Sequence, residues 1–339
     1  MTTKRIPALD GWRGIAISLV ILGHSQYGLL GHETLHTGGH GVALFFVLSG
    51  YLITRKLMEE QDRTDQIRLA NFYKRRFRRL MPAAWTYLSV GFLLLLTMGG
   101  HIRPIEFLSA VFSFRNYVDS VGPMALTSHF WSLSVEEQFY LIWPFVLSRM
   151  SRRAALAVAV ATAALLATWR MSGIVPLFPH SGWPNFHTEF CADTLFTGCV
   201  AALIEPRIRS YLKGVPAWPA AVLLALQVFL VPFPLFVESI LIAVLLLITS
   251  QRPGLLLDSS PLRWIGLLSY SLYLWQEPLL MVPIRSVDVY LAHLLALAVA
   301  AFLSWYLLEP HPWRMTFKAR VALLLSTTPA SPAATPPHR

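Results

Sequence analysis

The sequence predicts an all-α polytopic membrane protein, a bundle of about ten transmembrane helices with short interfacial helices. Three observations carry the prediction. Of 339 residues, 55% are hydrophobic and only 14% charged. The mean hydropathy is +0.53. The apolar residues fall in stretches close to the roughly 17–25 residues that span a bilayer as a helix. Such a composition excludes a disordered or collagen-like chain and argues against a pair of soluble domains.

The candidate spans lie at 13–31, 41–57, 82–99, 138–149, 154–170, 191–205, 216–233, 236–250, 264–282 and 290–308. The first has no small-residue cleavage site after a short apolar core and reads as an uncleaved anchor. Several of the others are short or carry Pro and Gly. The connectors 100–137 and 171–190 are long, and their Trp131, Trp183, Phe186 and Phe190 suit an interfacial cap, so short helices are expected there. The two cysteines, Cys191 and Cys199, sit in apolar sequence and read as packing residues. Residues 1–320 form the membrane domain; the tail 321–339, rich in Ser, Thr, Pro and Ala from Ser326 onward, reads as disordered.

The net charge of +10, Lys+Arg 28 against Asp+Glu 18, discriminates between partners by its distribution. With both termini cytoplasmic, the inner segments are 1–13, 55–80, 149–153, 206–215, 251–263 and 309–339. They hold every Lys and Arg except Arg103, Arg115, Arg170 and Arg285. Loops chosen on hydropathy alone thus obey the positive-inside rule. Nucleic acid is not an expected partner, because the cations are spread over loops and no nucleic-acid motif accompanies them. The expected partner of the surface is the lipid bilayer.

An ionisable group at mid-membrane costs at least about 2.5–3.5 kcal/mol, so such groups are functional candidates. Arg13 and His24 lie on the opening span eleven positions apart, about three helical turns, which puts both on one face about 16 Å apart along the axis. Position alone admits an anchor and a helix-to-helix hydrogen bond, or an anion-holding Arg with a His doing proton chemistry deeper in. The run Lys74, Arg75, Arg76, Arg78, Arg79 suits an interfacial helix on anionic lipid; Arg76 and Arg79, at i and i+3, could also clamp phosphates. Glu136 and Glu137 read as opening a span at its outer end, with Ser132 or Ser134 as cap. The density of Trp131, Ser132, Glu136, Gln138 and Tyr140 also suits a pocket.

The segments LDGWRGIAISLVILGH, GVALFFVLSGYLIT, NFYKRRFRRLMPA, HFWSLSVEEQFYLIWP, CADTLFTG and IGLLSYSLYLWQEP together, in this order, resemble the acyltransferase family 3 proteins. These are integral-membrane O-acyltransferases of surface polysaccharides, lipopolysaccharide, Nod factors and macrolides. The resemblance implies ten helices, cytoplasmic termini and an acyl-coenzyme A donor such as acetyl-coenzyme A as co-substrate. The acceptor it implies is a hydroxyl of a carbohydrate, glycolipid or macrolide-like molecule. The family's Arg-x10-His motif falls on Arg13 and His24, its Arg-x-x-Arg pair on Arg76 and Arg79, and its Trp-Ser-Leu segment with a glutamate on Trp131, Ser132, Leu133 and Glu136. This chain departs from the family in three places. Gln276 stands where His is common, Cys191 replaces an Arg often found ahead of Asp193, and the closing Glu-x-Pro reads Glu309, Pro310, His311, Pro312.

An alcohol attacking a thioester must lose its proton while an oxyanion develops. His24 is the expected general base. Arg13, Arg76 and Arg79 are expected at the donor, and Ser132, Glu136 and Tyr270 are candidates for binding the acceptor or orienting the imidazole. A covalent acyl-His relay is an alternative route. No metal is expected: His32, Glu33 and His36 spell HExxH with His40 nearby, but Gly31, Gly38 and Gly39 confine them to a short connector ill-suited to a ligand-bearing helix. A transporter or flippase is the competing class, set apart by whether acyl-coenzyme A is consumed, and a membrane zinc peptidase built on the HExxH string is the lesser alternative, set apart by bound zinc.

Overall fold

The computed structural model describes residues 6–30, 37–97, 103–119, 126–173, 186–230, 234–251, 256–281 and 286–310, and among these it has helices and no strand. The helices are α1 Pro7–Leu30, α2 Thr37–Thr64, α3 Leu69–Thr97, α4 Pro104–Val111, α5 Phe130–Leu147, α6 Arg152–Met171, α7 Thr188–Ile208, α8 Trp218–Phe229, α9 Leu235–Thr249, α10 Ser260–Trp275, the one-turn α11 Glu277–Leu280, and α12 Val287–Leu308. Short 3₁₀ turns occur at Arg115–Tyr117 and Leu256–Asp258. Each apolar stretch falls on a helix: α1 to α3, α5 to α10, and α12. By length and composition α2, α3, α6 and α12 are able to cross a membrane, and α8 and α9 are shorter apolar helices. The expected short helix in the 100–137 connector is α4, started by Pro104, whose missing N–H costs nothing in a first turn.

Two boundaries differ from the sequence reading. The basic run at 74–79 is not a separate interfacial helix, because α3 begins at Leu69 and continues through Pro82. Pro82 removes one ladder bond, and the hydroxyl of Thr86 donates to its carbonyl (2.8 Å). Nor do Glu136 and Glu137 open α5, which starts at Phe130 and places both carboxylates about two turns inside. Ser132 and Ser134 therefore cap nothing. Buried Phe130, packed on Tyr87 of α3, anchors the extra turns. The two serines bond across the bundle instead, Ser132 with Tyr273 (2.6 Å) and Ser134 from the backbone N–H of Arg115 (3.1 Å).

The bundle is built around α2, buried along most of its length and packed against α1 and α7. Without a hydrophobic drive between helices in lipid, close backbone approach supplies the packing. A Cβ on Gly50 would collide with the carbonyl of Leu195, and one on Gly266 with that of Asp10, so these two glycines set how near α2 comes to α7 and α10 to α1. Gly50→Val is expected to destabilise the protein by about 1–3 kcal/mol or more, since the clash is with backbone. Thermal unfolding in detergent checks this, and a midpoint like that of the wild type would contradict the packing argument.

The periphery faces the other way. In α6 only Ala155 and Ala159, one turn apart, are buried, and in α12 only Leu297, Ala301 and Ser304. Leu165, Leu291, Leu295 and Phe302 stand exposed on these helices. Apolar surface on that scale is a liability in water and expected in lipid. Cys191 and Cys199 are buried, as packing residues should be.

Candidate active site

One cavity of about 1000 Å³ runs into the bundle from the end where α1 begins and α12 stops. Its walls bring together Arg13 of α1, Lys56 of α2, Arg76 and Arg79 of α3, Ser132 and Glu136 of α5, and Tyr270 of α10. The basic run of α3 divides by helical position. Arg76 and Arg79 turn into the cavity, while Lys74, Arg75 and Arg78 stay exposed.

The cations differ in their partners. The Arg76 guanidinium lies 3.9 Å from the Glu136 carboxylate and 3.7 Å from the centre of the Tyr140 ring, a cation–π contact. Glu136 is committed on both oxygens, accepting from Ser49 (2.7 Å) and from Tyr140 (2.8 Å). The Tyr140 hydroxyl also lies 2.8 Å from the Ser49 hydroxyl, its single proton serving one of the two contacts, so Ser49, Glu136 and Tyr140 form a closed triangle of contacts beside Arg76. Arg13, Lys56 and Arg79 have no carboxylate within ion-pair distance among the described residues. They sit within electrostatic range of one another, and Asp10 and Glu309 lie within the same range of Arg13. Asp10, Glu59, Glu136, Glu137 and Glu309 line the same cavity, so its wall is mixed in charge, and Arg13, Lys56 and Arg79 are the cations outside ion-pair contact that remain for an incoming anion.

At its far end the cavity stops at Ser132 and Tyr273. Tyr273 also donates to the carbonyl of His129 (3.2 Å). Tyr270 donates to the carbonyl of Leu80 (2.8 Å), tying α10 to the turn after Arg79. Past this layer lies a second polar cluster, which lines no part of the cavity: His24, whose Nδ1 bonds the Oε1 of Gln276, and Glu277, which accepts from Ser128 and from both the backbone N–H (3.1 Å) and ring of His129. His24 is half-buried.

The structure therefore gathers Arg13, Arg76, Arg79, Ser132, Glu136 and Tyr270 on one cavity and sets His24 behind its end wall. Trp131 and Gln138 do not join them. Trp131 stacks on Phe186 (4.2 Å between centroids), and Gln138 donates to Ser113 and Asn116. Sequence reasoning missed Lys56, Ser49, His129 and Glu277. Ser49 and Glu277 stand inside the matched segments VLSGYLIT and LYLWQEP, but only packing across the bundle pairs them with Glu136 and His129. His40 bonds Glu238 (2.9 Å), and no group of three or more possible metal ligands occurs among the described residues. His32, Glu33, His36, Trp183, Arg285, His311, Pro312 and the tail lie outside the described residues.

A helical membrane bundle with an arginine-lined internal cavity defines a class that comparison with known proteins makes specific. Residues 6–310 match the family model described as an acyltransferase domain, and the chain belongs to the acyltransferase 3 family. Among curated relatives it is similar to the peptidoglycan O-acetyltransferase OatA of Listeria monocytogenes, 31% identical over 82% of this chain and 50% of the relative. It is likewise similar to the putative peptidoglycan O-acetyltransferase YrhL of Bacillus subtilis, 32% identical over 82% and 49%. The O-acetyltransferase OatA of Staphylococcus aureus is 29% identical over 93% and 58%. The chain thus spans about half the length of the curated relatives it matches. No solved structure matches it.

Proposed function

We propose that this protein is a membrane O-acyltransferase that moves an acyl group, acetyl first, from acyl-coenzyme A to a hydroxyl of a carbohydrate acceptor. The observation that carries the reading is the convergence of Arg13, Lys56, Arg76 and Arg79 on one cavity, three of them without a carboxylate partner. That wall suits the phosphates of a nucleotide-bearing donor, since guanidinium forks match phosphate oxygens. The volume is at the upper end for small-ligand pockets and is large enough for an extended donor.

The bundle crosses the membrane ten times with both termini cytoplasmic, a reading supported by the positive-inside distribution and by the coincidence of each apolar stretch with a helix. The donor then enters from the cytoplasm, where its phosphates meet the arginines and its thioester reaches toward Ser132 and Tyr273. The acceptor approaches from the His24 side. His24 takes the hydroxyl proton, the new O–C bond forms, the C–S bond breaks, and the coenzyme A thiolate leaves into the cavity and takes up a proton. Glu136, hydrogen-bonded by Ser49 and Tyr140, holds Arg76 in this reading.

The names of the relatives make peptidoglycan the first acceptor to test, ahead of other surface glycans. Membranes carrying the protein, supplied with acetyl-labelled acetyl-coenzyme A, are expected to place label on glycan hydroxyls as base-labile ester. Movement of a glycan precursor across the membrane without consumption of acetyl-coenzyme A would instead identify a transporter and overturn the reading.

A further inference from the structure

His24 is a base only if one ring nitrogen is bare and the ring is held. The sequence supplies no histidine or carboxylate at the position that meets it, only Gln276. In LYLWQEP, Pro278 cannot continue the helical ladder, and α10 ends at Gln276 before the single turn of α11. That break turns two consecutive side chains into one cluster between α1 and α5. Gln276 is fully buried, and its amide oxygen bonds the Nδ1 of His24. Glu277 beside it is within electrostatic reach of the His24 ring and is held by Ser128 and His129. The other ring nitrogen of His24, Nε2, has no partner among the described residues.

We infer that Gln276 is the positioning residue of the proton-transfer step: its Oε1 accepts the Nδ1–H of His24, fixing the tautomer in which Nε2 carries the lone pair that takes the acceptor's proton. The inference rests on the reading of His24 as the base. An amide oxygen can only accept, so it selects the Nδ1–H form and keeps its bond after Nε2 is protonated. An amide does not itself titrate, so the proton stays on His24. The Glu277 carboxylate, held by Ser128 and His129, stands beside this pair as the acidic group of the cluster. Roles are thus divided between neighbouring residues that in many hydrolytic triads fall to one carboxylate.

Most neighbouring polar groups have partners of their own, while the Nε2 of His129 and the Nε2 of Gln276 are buried without one among the described residues. Tyr290 of α12 donates to Ser25, Tyr273 of α10 to the His129 carbonyl, His129 at the start of α5 is bonded to Glu277, and His293 of α12 to the Leu279 carbonyl. On α2, His40 is bonded to Glu238.

The test uses the full-length protein in membranes. Gln276→Met keeps length and removes the amide acceptor; it is expected to lower kcat about 10- to 100-fold, with KM for acetyl-coenzyme A changed less than about twofold, because it leaves the cation wall intact. In a His24→Ala background the same substitution is expected to change nothing further, since its effect passes through His24. A residue that merely supported the fold would weaken both backgrounds and lower thermal stability in proportion.

Gln276→His restores an acceptor nitrogen and is expected to keep kcat within about fivefold of wild type. It carries the test if Gln276→Met does not fold: folded Gln276→His without activity would overturn the inference. Wild-type kcat in Gln276→Met alongside an inactive His24→Ala would overturn it alone. Full activity in His24→Ala would remove the base reading, and this inference with it.

Discussion

Replacing His24 by alanine is expected to lower kcat for acyl transfer about 10² to 10⁴-fold, the range that a positioned general base contributes. KM for the donor is expected to stay close to wild type, because His24 lies behind the end wall formed by Ser132 and Tyr273 and touches none of the cavity that faces Arg13, Arg76 and Arg79. The fold is expected to survive. His24 is half-buried, and its one hydrogen bond among the described residues is to Gln276, so the alanine variant leaves one buried amide acceptor unpaired, at a cost of about 1–3 kcal/mol. Initial rates with labelled acetyl-coenzyme A, at equal protein in membranes, separate the two parameters. A normal kcat would remove His24 from the chemistry.

Arg79→Ala carries the second large effect, on the other parameter. It is expected to raise KM for acetyl-coenzyme A about 10- to 150-fold, the loss of one or two hydrogen bonds to charged phosphate oxygen at about 1.5–3 kcal/mol, with a smaller change in kcat. Stability distinguishes this residue from its neighbour one turn away. Arg79 has no carboxylate partner and sits near Arg13, Lys56 and Arg76, so its removal relieves repulsion, and the thermal midpoint is expected to hold or rise. Arg76→Ala also weakens donor use, but it takes the cation from beside the Glu136 triangle and is expected to lower the midpoint. Equal stability losses in both variants would mean that the arginines are structural counter-ions rather than an anion site. An unchanged KM in Arg79→Ala would count against the donor assignment itself.

The matched motifs are local strings, and most of the candidate residues they name line one cavity, while His24 lies outside it. Arg13, Arg76, Arg79, Ser132, Glu136 and Tyr270 were all named from the chain and share one cavity. What the strings concealed is which partner each group takes. Glu136 reads as a helix-opening carboxylate from the acidic pair alone, and is instead two turns inside α5, locked by Ser49 from a helix 87 positions earlier in the chain. Gln276 reads as a lost histidine, and instead meets His24 across 252 positions. No periodicity or spacing within one segment contains such pairings. Lys56 had no motif around it at all, and became visible only when α2 brought it beside the α3 arginines.

By itself the sequence determined the solvent, the helical class, the order of the helices and the residues that lipid would reject unless they had work to do. Hydropathy and charge are sums over neighbours in the chain, and a bilayer reads them that way. The tertiary structure decided the spatial arrangement: the cavity with Arg13, Lys56, Arg76 and Arg79 on one side of the Ser132–Tyr273 layer, and the imidazole with its amide and carboxylate on the other. That arrangement depends on the rotation of each helix about its axis and on how closely glycines such as Gly50 and Gly266 let the backbones approach. Those are properties of contacts between distant segments, set by packing once the helices have formed.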